Sequence, residues 1–374
     1  MADPLMTYFP LIPRPRPACL PLSTRIDHLH AMATKPGTGS LQRQLTQAAE
    51  VCNLAALIAS DCGLNTLARD LCLRQWDVFD RARPLPAHAV RLALQPLLNI
   101  PRQLLREGDC DTACTLLQAL HHAALTQSST VVAGRTVHLH DLTTAPDEHK
   151  TLTTATWTAL LADGTRALTR AGRWNEAAQH AAAHRGVGTR LLDGRQVTIL
   201  AAVFQGRYDE AAALIERSSI HEPWEQTVQH LLRVHCQRSA GVDPRHLLPS
   251  MISSTLALLH QADPTTVVFQ TRAAITALEL SLTHHSPQRD ELIRTLIKTA
   301  SQDGYAARDL LTHPSLIQNL NSDQHHALIE LVHTCGLNTD YAASASLYEL
   351  LSNAAAHGER RLHALLATEH SQLN

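Results

Sequence analysis

The chain has 374 residues, enough for two or three domains or for one continuous array of repeats. Its 32 Lys+Arg nearly balance 34 Asp+Glu, giving a net charge of −2, which excludes a strongly basic nucleic-acid binder and an acidic tail protein. Hydrophobic residues reach 44% while aromatics stop at 3%, so there is material for a sizeable core but not for a sandwich or barrel. The class reads as all-α.

Residues 1–39 open the chain as a Pro-rich segment. Five prolines lie between Pro4 and Pro17, and Pro13, Pro15 and Pro17 alternate with Arg14 and Arg16. That alternation favours extended, solvated backbone, so a mobile arm is expected. The segment lacks the basic-then-apolar pattern of a leader, and no run approaches the 18 apolar residues of a membrane span. A cytoplasmic protein with no membrane partner is expected.

Helical hairpins are predicted over 40–128. Leu41, Leu45, Ala48, Ala49, Cys52, Ala55 and Ala56 recur at three- and four-residue spacings, and Gly63 closes that helix. A second helix starts near Thr66 and ends before Pro84 and Pro86. Ala87 to Glu107 is helical in period, but Pro96 and Pro101 predict a kink or break. Asp109 opens the next helix, which runs to about Thr126. The segment 129–147 is expected to be an insertion, with a small β-hairpin near 129–142, because two β-branched runs flank Ala133-Gly134-Arg135.

From 148 to the C-terminus the chain reads as helical throughout. Gly172-Arg173-Trp174-Asn175-Glu176-Ala177 recurs as Gly206-Arg207-Tyr208-Asp209-Glu210-Ala211, 34 residues later (206 − 172). Gly63 with Ala68, and Gly108 with Ala113, keep the same five-residue separation without the aromatic. Downstream, Pro223, Pro264 and Pro287 read as first-turn prolines, Ser322 as a cap, and about Tyr341–Ala355 and Glu359–Glu369 as two final helices.

The 34-residue recurrence resembles the turn of a tetratricopeptide repeat (TPR), with Gly172, Trp174 and Ala177 matched by Gly206, Tyr208 and Ala211. The resemblance implies a TPR-like α-α helical-hairpin solenoid, a superhelix whose first helices line a concave groove. On that alignment the groove holds Arg166, Thr169 and Arg170 from one repeat, and Asp193, Gln196 and Val203 from the next. The looser upstream matches add Asn53 and Arg102. Arg166 and Arg170, four apart, would present two guanidinium forks suited to a carboxylate.

No catalytic chemistry is assembled by the sequence. His138-Leu139-His140 would place two imidazoles on one strand face, but neither a second ligand set nor a barrel is in sight. The eight cysteines form no CxxC, Gly186-Val187-Gly188 has no strand before it, and none of the three lysines follows a phosphate-binding loop. No catalytic residue, metal or cofactor is therefore assigned. The leading expectation is a non-catalytic interaction protein, as in bacterial adaptors and regulators, that binds a protein or peptide in its groove. It makes no direct nucleic-acid contact, and homo-oligomerisation stays open. One alternative is an accessory or catalytic protein of a specialised biosynthetic pathway, with a pocket between helices. Another is a ligand-responsive sensor controlling a separate DNA-binding regulator.

Overall fold

A computed structural model of the chain describes residues 6–35, 37–143, 146–261, 263–337, 341 and 344–373. Residues 1–5 and 36 of the expected arm, 144–145 of the expected insertion, and 262, 338–340, 342–343 and 374 of the expected C-terminal region lie outside them. The helices in chain order are α1 (Leu22–Thr34), α2 (Leu41–Asp61), α3 (Asn65–Asp80), α4 (Ala87–Glu107) and α5 (Cys110–Thr126). The strands β1 (Ser129–Val132) and β2 (Arg135–His138) follow, then α6 (Pro146–Ala159), a π-helical turn at Leu160–Gly164, and α7 (Thr165–Arg170). Next come α8 (Trp174–Ala183), α9 (Asp193–Phe204), α10 (Tyr208–Glu216), α11 (Pro223–Ser239), α12 (Leu248–Leu259) and α13 (Val267–Leu280). The last are α14 (Pro287–Ala300), α15 (Gly304–Leu311), α16 (Pro314–Ile317), α17 (Ser322–Thr334) and α18 (Ala345–Leu373). No helix among the described residues is long and apolar enough to cross a membrane.

The 34-residue recurrence in sequence is also a recurrence in backbone geometry. Gly172 and Gly206 both have φ +73°, a left-handed conformation that costs a side-chain-bearing residue about 1–2 kcal/mol. The next residues, Arg173 (φ −90°, ψ 58°) and Arg207 (φ −86°, ψ 61°), superpose in dihedral space and start α8 and α10. Their amides reach back to the carbonyls of Leu168 and Ala202 at 2.9 Å, the six-to-one bond of a Schellman turn. The two upstream echoes adopt the same turn: Leu64 and Asp109 bond the carbonyls of Ala59 and Leu104, also at 2.9 Å. Ala177 and Ala211 are fully buried, where a larger side chain would hold the helices apart.

The chain forms two compact units whose limits differ from the sequence boundaries at 39, 128 and 147. One comprises Leu22–Ala167 and Asn338–Asn374, the other Met1–Pro21 and Leu168–Leu337. In the first unit α2 is central, packing on α1, α3, α4 and α18. The hairpin is antiparallel with Val132 opposite Arg135, and it buries Val132 and Val137. In the second unit α8 to α16 pack on their chain neighbours in series, α9 on α8 and α10, and α13 on α11, α12, α14 and α15, while α17 packs on α15.

Four local expectations are corrected. Of the kink or break expected at Pro96 and Pro101, the break does not occur: helix α4 runs through both as one element. Each proline costs about 3 kcal/mol in a helix interior, but α4 buries Leu92, Leu94, Leu97, Leu98, Ile100 and Leu105, at about 1.5–3 kcal/mol each. Pro264 sits in a turn ahead of α13, where the Asp263 carboxylate accepts the Thr265 amide at 2.9 Å. Asn321, rather than Ser322, caps α17, in a reciprocal box with Gln324. The two final helices are one, α18, because Gly358 is a contact point and not a stop. A Cβ there would lie 2.7 Å from Cys52 Sγ and 3.0 Å from the Ala48 carbonyl.

The expected mobile arm is the largest correction. Residues 22–34 form α1, which packs on α2 and α18. Residues 9–20 are extended and carry buried Phe9, Leu11 and Cys19.

Gly358→Ala should lower stability by about 1–3 kcal/mol through overpacking, measured by urea denaturation of the full chain. Cys52→Ala in the same chain should recover part of that loss, and strict additivity of the two changes would refute the contact.

Candidate peptide-binding site

The second unit holds residues 6–21 against α9, α13 and α15 by their main chain. An extended segment with no strand beside it leaves amides and carbonyls to be satisfied by other groups. Gln196, one turn into α9 and fully buried, does this for Leu11. Its Oε1 accepts the Leu11 N–H at 2.8 Å, and its Nε2 donates to the Leu11 carbonyl at 2.9 Å and to the Leu191 carbonyl at 2.7 Å. One carboxamide thus takes the place of a neighbouring strand. Further on, Arg16 N–H donates to the Thr265 carbonyl at 3.1 Å. The buried Asp303 carboxylate accepts the Cys19 N–H at 2.6 Å while its other oxygen caps α15. The Cys19 carbonyl accepts from Gly304 N–H at 2.8 Å and from the Cys335 thiol at 3.2 Å.

Side chains set the register. Arg14 pairs with Asp193, one turn before Gln196 on the same helix face, at 2.6 Å. The Arg16 guanidinium stacks 3.5 Å above the Tyr305 ring. Tyr8 Oη lies 2.8 Å from His313 Nε2, with the Arg272 guanidinium 5.1 Å from its ring. Burial, then the nearby Asp309 carboxylate, pushes the Tyr8 phenol up to about 12. Asp309 is itself held by Arg272 Nε at 2.6 Å. Behind Tyr8, His313 Nδ1 stands 3.4 Å from Glu279, whose carboxyl is held below its usual range by that histidine.

A second polar row lies in the first unit. Asn53 on α2 donates to Gln95 Oε1 at 2.9 Å and accepts from Asn99 at 3.1 Å, both on α4. Arg102 donates to Asn99 Oδ1 at 3.3 Å and to Asp163 Oδ2 at 2.8 Å. Asp163 is almost fully buried in the π-helical turn and also faces Arg166 Nη1 at 3.8 Å. Asn53, Arg102 and Arg166, chosen from sequence, therefore share one network. Gln95, Asn99 and Asp163 were missed. The available signal was the polar spacing Gln95, Asn99, Arg102, Arg106 along an otherwise apolar helix.

The other sequence-derived residues are spread out. Asp193 and Gln196 come together on residues 11–14, whereas Val203 is buried in the core of the second unit. Thr169 is buried too. Arg166 and Arg170, expected as a pair of forks, fall in different units. Arg170 is exposed and lines an open cavity of about 540 Å³ with Gly172, Trp174, Asn175 and Phe204. Trp174 and Phe204 stack there with centroids 5.1 Å apart. His138 ends β2 and His140 lies in the turn beyond it, so the two do not share a strand face, although their exposed rings meet edge-on at 5.1 Å. Among the described residues no group of three or more His, Cys, Asp or Glu is placed to hold a metal ion.

No protein-family model, curated protein or solved structure matches the chain.

Glu279→Gln should cost about 1–3 kcal/mol at pH 7, the worth of a hydrogen bond to a charged group. A carboxylate with a depressed folded pKa contributes stability that is fully present above its ordinary value, 4.5, and is lost as pH falls through the folded value. The gap between the urea midpoints of wild type and variant should therefore narrow as pH falls below 4.5. A gap that stays constant as pH falls from 7 to 3 would argue against the contact with His313.

Proposed function

We propose that the protein is a non-catalytic, TPR-like interaction protein that binds extended peptide segments of a protein partner along the inner faces of its helices. The single observation behind this reading is the seat of residues 6–21. Asp193 and Gln196, picked from the 34-residue recurrence as groove lining, hold an extended segment by a charge pair and by a bidentate main-chain contact. A carboxamide that takes both the N–H and the C=O of one residue reads backbone and not sequence. That is what a peptide receptor requires of its positioning groups.

The polar row of the first unit has the same chemistry. Asn53, Asn99 and Gln95 are linked carboxamides, and Arg102, bonded to the buried Asp163 but 43% exposed itself, is the guanidinium that a carboxylate or an acidic side chain would meet. The repeated Schellman turns, the buried alanines at fixed separation and the neighbour-to-neighbour packing support a helical-hairpin array as the scaffold. Shape is then preformed, and little ordering is required of the receptor when it binds.

Full-length protein displayed against a panel of extended peptides, including acidic C-termini, tests this. Capture should fall about tenfold for Asn99→Ala or Arg102→Ala, the loss of one charge-assisted or main-chain hydrogen bond. Capture that is indifferent to both, and to Gln196→Ala, would sink the assignment.

A further inference from the structure

Resting on that reading, we infer that the seat of residues 6–21 is a masked docking site for an extended, Arg- and Pro-bearing segment of another protein, with the chain's own segment as its resident competitor. Three features of the seat carry the inference. First, its core contact is to main chain. Gln196 recognises any residue that can present both an N–H and a C=O at the Leu11 position, which excludes only proline there. Second, its side-chain contacts spell a partner: an aromatic between His313 and Arg272, a cation three residues after the Gln196 contact, and a second cation over Tyr305. Asp193 and the Tyr305 ring favour positive charge at those two positions.

Third, the resident segment is held unevenly along its length. Pro15 and Pro17 are exposed and Arg14 and Arg16 half-buried, and residues 11–20 form no helix, strand or turn. Such a segment leaves its seat without breaking a helix or strand of its own beyond the turn at residues 6–8, at the cost of exposing the buried Met6, Phe9, Leu11 and Cys19. Proline stiffness keeps it extended when it leaves, so reseating costs little conformational entropy. Attachment to the same chain gives it an effective concentration in the millimolar range. An outside segment therefore competes only when it binds more tightly or when the resident one is weakened.

A charge swap in the full chain tests this. Asp193→Arg places like charge opposite Arg14 and loosens the resident segment. The probe is a fluorescent synthetic peptide of residues 6–20, either with the natural sequence or carrying Arg14→Glu. The variant should bind the Arg14→Glu peptide at least tenfold more tightly than the natural peptide, and Gln196→Ala in the same chain should abolish that binding. Wild-type protein should bind both peptides at least tenfold more weakly than the variant binds its match. Arg14→Glu in the full chain is the second variant if Asp193→Arg does not fold. It loosens the segment from the other side and should gain capture of the natural peptide.

A folded variant that captures neither peptide overturns the masked site. The peptide-binding reading then still stands or falls separately, on the dependence of panel capture on Asn99 and Arg102. A concentration-dependent dimer that the matched peptide dissociates would identify the occupant as a second copy of this chain and would overturn a heterologous partner.

Discussion

Everything about residues 11–21, beyond the turn at 6–9, follows from one requirement: irregular backbone laid against helices has no sheet to satisfy it. Each buried amide left unpaired would cost about 1–3 kcal/mol. The second unit meets the requirement one group at a time, with Gln196 for Leu11, the Thr265 carbonyl for Arg16, and Asp303 with Gly304 for Cys19. Proline lowers the demand itself. Pro10, Pro13, Pro15 and Pro17 have no amide hydrogen to place, so half of residues 10–17 need only an acceptor satisfied. The composition that signals a solvated arm when read alone is thus the composition that lets a strand lie on helices. Read alone, that segment looks mobile; read with Gln196, it is a packed part of the second unit.

This difference shows which features were legible in the sequence. Turns were legible because their chemistry is local. A left-handed Gly followed by an N-terminal residue and a buried Ala is specified within six positions, and Gly172 and Gly206 adopt one geometry. The helix start at Asp109, the first-turn Pro287 and the hairpin around Ala133-Gly134 were legible for the same reason. Features set by distant packing were not. The C-terminal stretch reads as two helices, about Tyr341–Ala355 and Glu359–Glu369, although α18 runs on through Gly358, where an added Cβ would meet Cys52 and Ala48. Pro96 and Pro101 read as breaks until the apolar flanks of α4 are buried. Asp163, inside a π-helical turn, looks like an ordinary charge until Arg102 and Arg166 close on it.

The candidate site divides along the same line. Asp193 and Gln196 came from the repeat alignment, because residues three apart at the start of a first helix face the same way. Their usefulness came from elsewhere in the chain, from Leu11 and Arg14, more than 170 residues away in sequence. Tyr8, His313 and Glu279 carried no local signal at all, since each is an ordinary residue whose role is defined by the other two.

The division of labour within the seat has a consequence for selectivity. In the proposed docking role, Gln196 and Asp303 would contribute affinity to any extended segment and discriminate little, because both bond main chain. Discrimination would fall to Asp193 and the Tyr305 face, which favour positive charge, and to the His313–Arg272 slot that takes a ring. An acidic segment would leave Asp193 facing like charge while keeping every main-chain bond. A Pro at the Leu11 position would keep the charges but lose the Gln196 Oε1 contact. Affinity and choice are therefore carried by different side chains of one helix, Gln196 and Asp193, and either can be altered without the other.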